Sequence, residues 1–226
     1  MTTQTFTATA SPYRFAGRTA IASGAIGILA YMSLIGYLVY RNQVRYLGDL
    51  MIRTHDVGVI LQFLFMIPVA FGLHKLSQKR SPGMNQAMLT TGIAALSFTI
   101  LFLLLIFPKL LADTLYMFPQ GVFGVWLMIV CWRLPGILSP GLRWFGIAVG
   151  LGLALVGTFP PGFAIFVDTI VLRIPAASDV AQANVPMTSA NKILHQILWI
   201  GSFMGVLTLP SWTILIGRRL LRERSF

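Results

Sequence analysis

Three histidines are the side chains of this sequence best suited to hold a metal or a haem, and a single cysteine accompanies them. His55 and His74 stand near the two ends of one apolar stretch, "RTHDVGVILQFLFMIPVAFGLHKL", at residues 53–76. A helix rises ~1.5 Å per residue, so it would separate the two imidazoles by ~28 Å, about the thickness of the hydrocarbon core. These two histidines therefore cannot share one metal ion.

His195 is the one histidine that could meet His55, because both are predicted at the outer ends of apolar segments. Two imidazoles on different helices suit the axial positions of haem b, and Asp56 or Asp168 could complete a transition-metal site. The alternative is that all three histidines mark helix ends at the membrane interface. On that interpretation we predict no cofactor and no metal, and we keep the haem or metal site at His55 and His195 as the alternative.

The composition places these residues in a membrane protein. Of the 226 residues, 56% are hydrophobic and 10% are charged, against roughly 25% charged in soluble proteins. Six segments approach the ~20 residues that cross a bilayer; they are 19–40, 57–74, 86–107, 115–132, 144–160 and 193–217. We predict an all-α, polytopic fold: a flexible cytoplasmic N-terminus at 1–18, a six-helix transmembrane bundle at 19–217, and a basic cytoplasmic tail at 218–226.

The charges predict the orientation of the bundle. With the N-terminus inside, eleven of the 17 Lys and Arg residues fall on inner segments and six on outer ones. The positive-inside rule then places both termini in the cytoplasm of a bacterial inner membrane. We attribute the net charge of +11 to the basic residues that set this orientation. No basic domain remains outside the helices, so we expect no nucleic-acid binding.

Two outer segments are predicted to lie in the interface rather than to cross the membrane. Residues 41–53, "RNQVRYLGDLMIR", place apolar side chains at helical spacing and predict an outer interfacial helix. Residues 162–174 are too apolar for a free loop and too short to span, so we predict an interfacial or re-entrant helix that caps the bundle.

Glycines and prolines shape the apolar segments. Gly146 and Gly150, and likewise Gly201 and Gly205, have the small-xxx-small spacing that lets helix backbones approach closely. The glycines serve either packing within the bundle or an interface with a homodimer or partner subunit. Pro68 and Pro210 lie inside the second and sixth segments, where they predict kinks.

Two stretches carry a resemblance to a known family. "YRFAGRTAIASGAIGILAYM" has an Arg-x-x-Gly entry into the first helix, and "GVWLMIVCWRLPGILSPGLRWFGIAVGLGLALVG" joins two helices by a short basic turn. The chain resembles a domain-of-unknown-function family of bacterial integral membrane proteins with six helices. The resemblance implies this architecture and no activity, so no catalytic residue follows from it.

The sequence holds no nucleophile beside a base, no phosphate loop and no charge at a helix centre. We therefore expect a membrane protein that is not an enzyme, an accessory or scaffold component of a membrane complex. One alternative is a binder or carrier of an apolar small molecule or lipid, in a cavity shaped by Pro68 and Pro210 and covered by 162–174. A second alternative is the haem or metal protein built on His55 and His195.

Overall fold

The chain is all-α in the part that the structure describes, which is residues 12–40, 45–80, 85–175 and 188–222 of a computed structural model. A single 3₁₀ turn, Thr169–Leu172, follows α6, and a π turn, Ser202–Val206, separates α7 from α8. The helices are α1 (Pro12–Tyr40), α2 (Arg45–Arg80), α3 (Gln86–Ile106), α4 (Met117–Arg133), α5 (Pro140–Gly157), α6 (Phe159–Phe166), α7 (Ser189–Gly201) and α8 (Leu209–Arg222).

The helices confirm the prediction of an all-α polytopic membrane protein. In the described part of the chain, five helical segments are long and apolar enough to cross a bilayer, and α4 is a shorter apolar helix of 17 residues. Of the five, Pro140–Phe166 includes both α5 and α6, and Ser189–Arg222 includes α7, the π turn and α8.

Successive spanning segments run antiparallel and form a closed ring. On one side of α1, a Cβ added to Gly72 would lie 2.7 Å from the Cβ of Ala16, and one added to Gly58 would lie 2.8 Å from that of Ala30. On its other side, α1 meets α8, where a Cβ on Gly217 would lie 2.7 Å from the carbonyl oxygen of Gly17. The ring therefore closes between its first and last helices.

The two ends of this ring differ in charge. We call the end where α1 begins and α8 ends the basic end. The other end we call the acidic end because it holds the aspartates, although Arg45, Arg53, Lys109, Arg173 and Lys192 lie there as well. The aspartates in the described part of the chain all lie towards the acidic end; they are Asp49, Asp56, Asp113 and Asp168.

Aromatic side chains fill the centre of the ring. Phe63 of α2 meets Phe123 of α4 edge-on, with ring centroids 6.3 Å apart, and Phe123 stacks on Trp126 at 5.3 Å. All three are almost fully buried, as is Trp212 of α8. They belong to one continuous apolar core, so the centre of the bundle is packed rather than open.

The four glycines singled out in the sequence all lie at close contacts inside the bundle. A Cβ on Gly150 would lie 2.6 Å from the carbonyl oxygen of Gly124 in α4, and one on Gly146 would lie 2.4 Å from Sγ of Cys131. Gly201 and Gly205 meet α5 instead, where a Cβ on Gly205 would lie 2.3 Å from the backbone nitrogen of Leu153. These faces are therefore occupied within the chain.

The helical ends extend beyond the predicted segments. Helix α1 begins at Pro12, so residues 12–18 are helical rather than flexible, because Tyr13 and Ala16 are buried in the core. Helix α8 continues to Arg222 because Ile216 and Leu220 remain in that core, so part of the predicted tail at 218–226 is helical. Residues 1–11 and 223–226 lie outside the described residues.

Most of the predicted interfacial helix at 41–53 belongs to α2 in the structure. Helix α2 begins at Arg45 and continues without a break, while 41–44 lie outside the described residues. Met51 explains the continuity, since its Sδ would lie 2.7 Å from a Cβ on Gly36. The ends of α1 and α2 thus pack together, and extending an existing helix costs less than starting another.

The two prolines have different surroundings. Pro68 lies inside α2, as predicted, but Pro210 lies in the first turn of α8 rather than within a continuous sixth helix. Before it, the backbone nitrogen of Leu207 donates to the carbonyl of Ser202 at 3.0 Å, five residues back. The wider turn accommodates a residue that lacks a backbone donor.

We predict that Gly150→Ala destabilises the bundle by about 1–3 kcal/mol, because the added methyl overlaps the backbone of α4. Gly141→Ala in the same helix is the matched control, since a Cβ there meets nothing within 4 Å. The midpoint of thermal unfolding in detergent measures both. An equal midpoint for the two variants would show that α4 and α5 do not touch at Gly150.

Candidate functional site

His55 is buried against α1 at the acidic end. Its Nδ1 lies 3.0 Å from the carbonyl oxygen of Ala30, and its ring centroid lies 5.8 Å from that of Tyr31, tilted by 51°. A carbonyl can only accept, so Nδ1 carries the proton in this hydrogen bond. The imidazole thus joins α2 to α1.

His195 faces a different part of the bundle. Its Nδ1 donates to the carbonyl oxygen of Asn191 at 2.9 Å, one turn earlier in α7, and its ring meets Phe159 of α6 edge-on at 5.4 Å. In the described part of the chain, helices α2 and α7 do not pack extensively against each other. His55 therefore contacts α1, whereas His195 contacts α6 and its own helix.

His74 lies at the basic end, as the predicted span of the second helix requires. It is buried, and Nε2 of Gln78 lies 2.9 Å from its Nε2. Since the amide nitrogen can only donate, Nε2 of His74 accepts and the proton sits on Nδ1. His55 and His74 thus stand at opposite ends of α2.

A polar cluster gathers at the acidic end around His55; we define it as Tyr31, His55, Asp56, Asp113 and Tyr116. Asp56 interacts electrostatically with Asp113, and both carboxylates act on Tyr116, which in turn acts on Tyr31. Burial, followed by the charges of Asp56 and Asp113, raises the pKa of Tyr116, which precedes α4. The phenol therefore stays protonated and available as a donor.

Asp113 and Tyr116 were missed by sequence reasoning. Both lie in the connection between α3 and α4, and the sequence shows them only as one acid and one aromatic ring in a short apolar segment. Their interactions with Asp56 depend on how α2 packs beside this connection, which no local pattern encodes.

Asp56 and Asp168, the carboxylates considered as metal ligands, have separate roles. Asp56 belongs to the polar cluster, whereas Asp168 caps the 3₁₀ turn by accepting from the backbone nitrogen of Ile170 at 2.8 Å. Within the described ranges, no group of three or more His, Cys, Asp or Glu side chains is placed to hold a metal ion. The haem or metal site at His55 and His195 stays a prediction.

The segment at 162–174 covers the acidic end. Helix α6 and the 3₁₀ turn bury Phe159, Phe163 and Val171 in a small second core with Leu194 of α7 and Ala112. The opposite face carries exposed apolar side chains, of which Ile165 and Ile174 are both 72% exposed. The segment thus packs one face on the bundle and exposes an apolar face, while its interfacial or re-entrant placement stays a prediction.

Gln62 lies at the middle of the α2 span and is fully buried. A Cβ on Gly27 of α1 would lie 2.7 Å from its Cδ, so the amide packs directly against that backbone. Neither Oε1 nor Nε2 has a hydrogen-bond partner in the described part of the chain. The nearby bond from Ser23 Oγ, at 2.9 Å, goes to the backbone carbonyl of Gln62 instead.

An apolar groove of about 730 Å³ lies between α3 and α4 and is open at the surface of the bundle. On α3 it extends from Ala87 to Phe102, and on α4 it reaches Phe118, Pro119 and Val122. Neither Pro68 nor Pro210 lines it, and 162–174 does not cover it. The cavity thus differs in place from the one expected for an apolar ligand.

Trp126 explains why this groove exists. A Cβ on Gly92 of α3 would lie 2.4 Å from Cε2 of the indole, and the indole Nε1 donates to the carbonyl oxygen of Met88 at 2.7 Å. Helix α3 therefore contacts α4 through a large ring rather than through its backbone. Although Trp126 does not itself line the groove, we infer that its ring keeps the two helices far enough apart to leave this space.

The hydroxyls in the groove are satisfied by their own helix. Thr90 donates to the carbonyl of Gln86 at 3.0 Å, and Thr91 donates to that of Ala87 at 2.9 Å. The rings of Phe98 and Phe102 meet edge-on at 6.4 Å further along α3. The groove therefore offers an apolar wall to an occupant.

Comparison with protein-family models, with curated proteins and with solved structures finds no match to this chain. The resemblance to the six-helix bacterial family thus stays a prediction from its two stretches of sequence.

We predict that Gln62→Met leaves the protein equally stable or up to about 2 kcal/mol more stable, because it removes a buried amide without partners. Ser23→Ala is the control that removes a bonded group in the same contact, and it should cost about 1 kcal/mol. Thermal unfolding in detergent measures both. A clear loss of stability in Gln62→Met would reveal a partner for the amide, such as a buried water or a ligand.

For the histidines, we predict that His195→Ala costs about 1 kcal/mol and the more buried His55→Ala about 2–3 kcal/mol, both without a change in the visible spectrum. The spectrum and metal content of protein purified from its native membrane test this. A Soret band or a stoichiometric metal that either substitution removes would establish the haem or metal alternative.

Proposed function

We propose that this protein is not an enzyme and that it binds a chain-like apolar molecule of the bilayer, such as a lipid acyl chain, in the groove between α3 and α4. The observation that supports this most is the groove itself, about 730 Å³ of apolar space open at the surface of the bundle. Its volume falls within the ~300–1,000 Å³ of ordinary ligand sites.

The proportions of the groove favour a chain over a helix. From Ala87 to Phe102, α3 extends about 22 Å at ~1.5 Å per residue. All the empty space up to the lining atoms amounts to about 1200 Å³, and dividing it by about 22 Å gives a mean cross-section of about 55 Å². A helix with its side chains is ~10 Å wide and needs about 80 Å², so it could insert only side chains into this space.

The wall of the groove would select by shape rather than by hydrogen bonds. Since Thr90 and Thr91 already donate within α3, they offer a ligand no hydroxyl donor, only their oxygens as acceptors. The rings of Phe98, Phe102 and Phe118 present edges and faces to an extended hydrocarbon. A saturated or isoprenoid chain fits this chemistry, and the aqueous head of the same molecule would stay outside.

A second candidate function is the accessory or scaffold role, with α3 as the surface that would contact the partner. Gly146, Gly150, Gly201 and Gly205 are occupied inside the bundle and do not serve it. However, Ala87 and Thr91 lie four residues apart and are both exposed on the groove face of α3. This spacing permits close approach of a helix from a partner subunit or a second copy.

We also propose that the protein lies in a bacterial cytoplasmic membrane with both termini in the cytoplasm. The support is the gathering of arginines at the basic end and of aspartates towards the acidic end. This distribution agrees with the positive-inside rule.

We predict that a photoreactive fatty acid labels α3 and α4 of the reconstituted protein saturably, and that Ala94→Trp reduces this labelling about ten-fold by filling the groove. Leu101→Trp is the matched control, because Leu101 is exposed on the same helix but does not line the groove. Mass spectrometry of the labelled peptides measures the effect.

The same experiment separates the two candidates from nonspecific contact with lipid. Labelling that rises linearly with probe and ignores Ala94→Trp would contradict the proposal, since ordinary boundary lipid behaves in this way. A photoreactive residue introduced at Thr91 that captures a protein in native membranes, rather than lipid, would favour the partner role.

A further inference from the structure

A second cavity, about 350 Å³ in volume, lies at the basic end between the start of α5 and the end of α8. Three arginines of α8 line it, Arg218, Arg219 and Arg222. Its apolar side is formed by Leu142 and Phe145 of α5 together with Leu215, which lies on the same helix as the arginines. We propose that this basic cleft binds the phosphate headgroup of an anionic phospholipid in the leaflet at the basic end.

One of the three arginines is held in position by the bundle. Nε and Nη2 of Arg219 donate to the carbonyl oxygen of Ile137 at 3.4 and 3.2 Å, across the connection between α4 and α5. This bond fixes a positive charge on the wall of the cleft and ties α8 to that connection. The fixed guanidinium keeps its positive charge while it is held by this carbonyl, and that charge attracts a phosphate.

Arg218 and Arg222 add two exposed charges on one face of α8. They are four residues apart, a spacing at which like charges repel. The aspartates in the described ranges lie towards the acidic end, and Glu223, next to this helix, lies outside the described residues. An anion bound between the arginines would relieve their repulsion.

The depth of the cleft places it at a lipid headgroup. Trp132 and Trp144 are exposed beside it and meet edge-on at 6.1 Å, and the guanidinium of Arg143 lies 5.6 Å from the Trp144 ring centroid. Exposed tryptophans favour the interface between hydrocarbon and water. The arginines of α8 therefore lie where phosphate groups are concentrated.

The apolar side of the cleft distinguishes a lipid from a soluble anion. Leu215 is 43% exposed on the surface that faces the bilayer, so the cleft continues from charged groups into hydrocarbon. A phospholipid can satisfy both sides at once, whereas a free phosphate leaves the apolar side empty. Basic clefts between membrane helices are a recognised form of anionic-lipid site.

The test compares phosphatidylglycerol with phosphatidylcholine carrying the same acyl chains, bound to the full-length protein in detergent and counted by native mass spectrometry. The wild type should retain phosphatidylglycerol preferentially. The variant Arg218→Gln/Arg222→Gln should lose about five-fold in affinity per charge, or about 25-fold in total. Its thermal midpoint without lipid checks that it is folded, and Arg218→Gln alone, with a five-fold loss, serves if the double variant is not.

The matched control is Arg14→Gln/Arg18→Gln, which removes two exposed charges with the same spacing at the same end, outside the cleft. It should leave the preference within about two-fold of the wild type. An equal loss in the two double variants, or no loss in either, would overturn the proposal. Displacement of the lipid by millimolar inorganic phosphate would also overturn it, by showing a site for a soluble anion.

Discussion

The contact between Gly152 of α5 and Gly205 of the π turn shows the constraint on which the structure depends. A Cβ on Gly152 would lie 2.2 Å from the backbone nitrogen of Gly205, and one on Gly121 would lie 2.5 Å from the Cα of Gly157. Within a bilayer, lipid is as apolar as the helices, so the hydrophobic effect does little to hold helices together. Close approach of backbones takes its place. It requires glycine on at least one side of each contact, and at the tightest contacts, such as these two, on both sides.

The exception to this constraint produces the open feature of the molecule. Between α3 and α4 the glycine at position 92 meets the indole of Trp126 rather than another backbone. The two helices remain linked by the bond from that indole to Met88, yet stay far enough apart to leave a groove. The closed ring and the open groove thus follow from the same rule, applied with a small residue in one place and a large one in the other.

The sequence predicts the fold more fully than the site, for physical reasons. Apolar length alone identifies the spanning segments, and the spacing of Gly146 and Gly150 identifies a packing face. Spacing does not show which helix occupies that face, so from the sequence alone the face could equally have met a partner subunit. The start of α1 and the end of α8 were also predicted too short. Tyr13 and Leu220 are buried in the same core, and this packing between remote segments leaves no local pattern in the sequence.

The candidate sites depend on distances between segments that are remote in sequence. Asp113 interacts with Asp56 of α2, and Arg219 of α8 donates to Ile137, only because segments remote in sequence pack side by side. The histidines were easier to interpret, since rise per residue alone separates His55 from His74. By contrast, the groove depends on a single tryptophan acting as a spacer, for which the sequence carries no periodic signal.

The closing contact between the first and last helices is the most direct test of this account. A Cβ on Gly217 would lie 3.0 Å from the Cβ of Ala20, close to the ~3.5–4.5 Å of a disulfide. With Cys131 replaced by alanine, the pair Ala20→Cys and Gly217→Cys should form a disulfide within one chain upon mild oxidation in the membrane. A control pair, Ala20→Cys with Thr91→Cys on α3, should not. Because a Cβ on Gly217 also comes close to the carbonyl of Gly17, the thermal midpoint of the reduced variant checks that the fold is kept. Failure of the first pair in a variant that keeps the wild-type midpoint, or cross-links formed only between chains, would contradict a ring closed by α1 against α8.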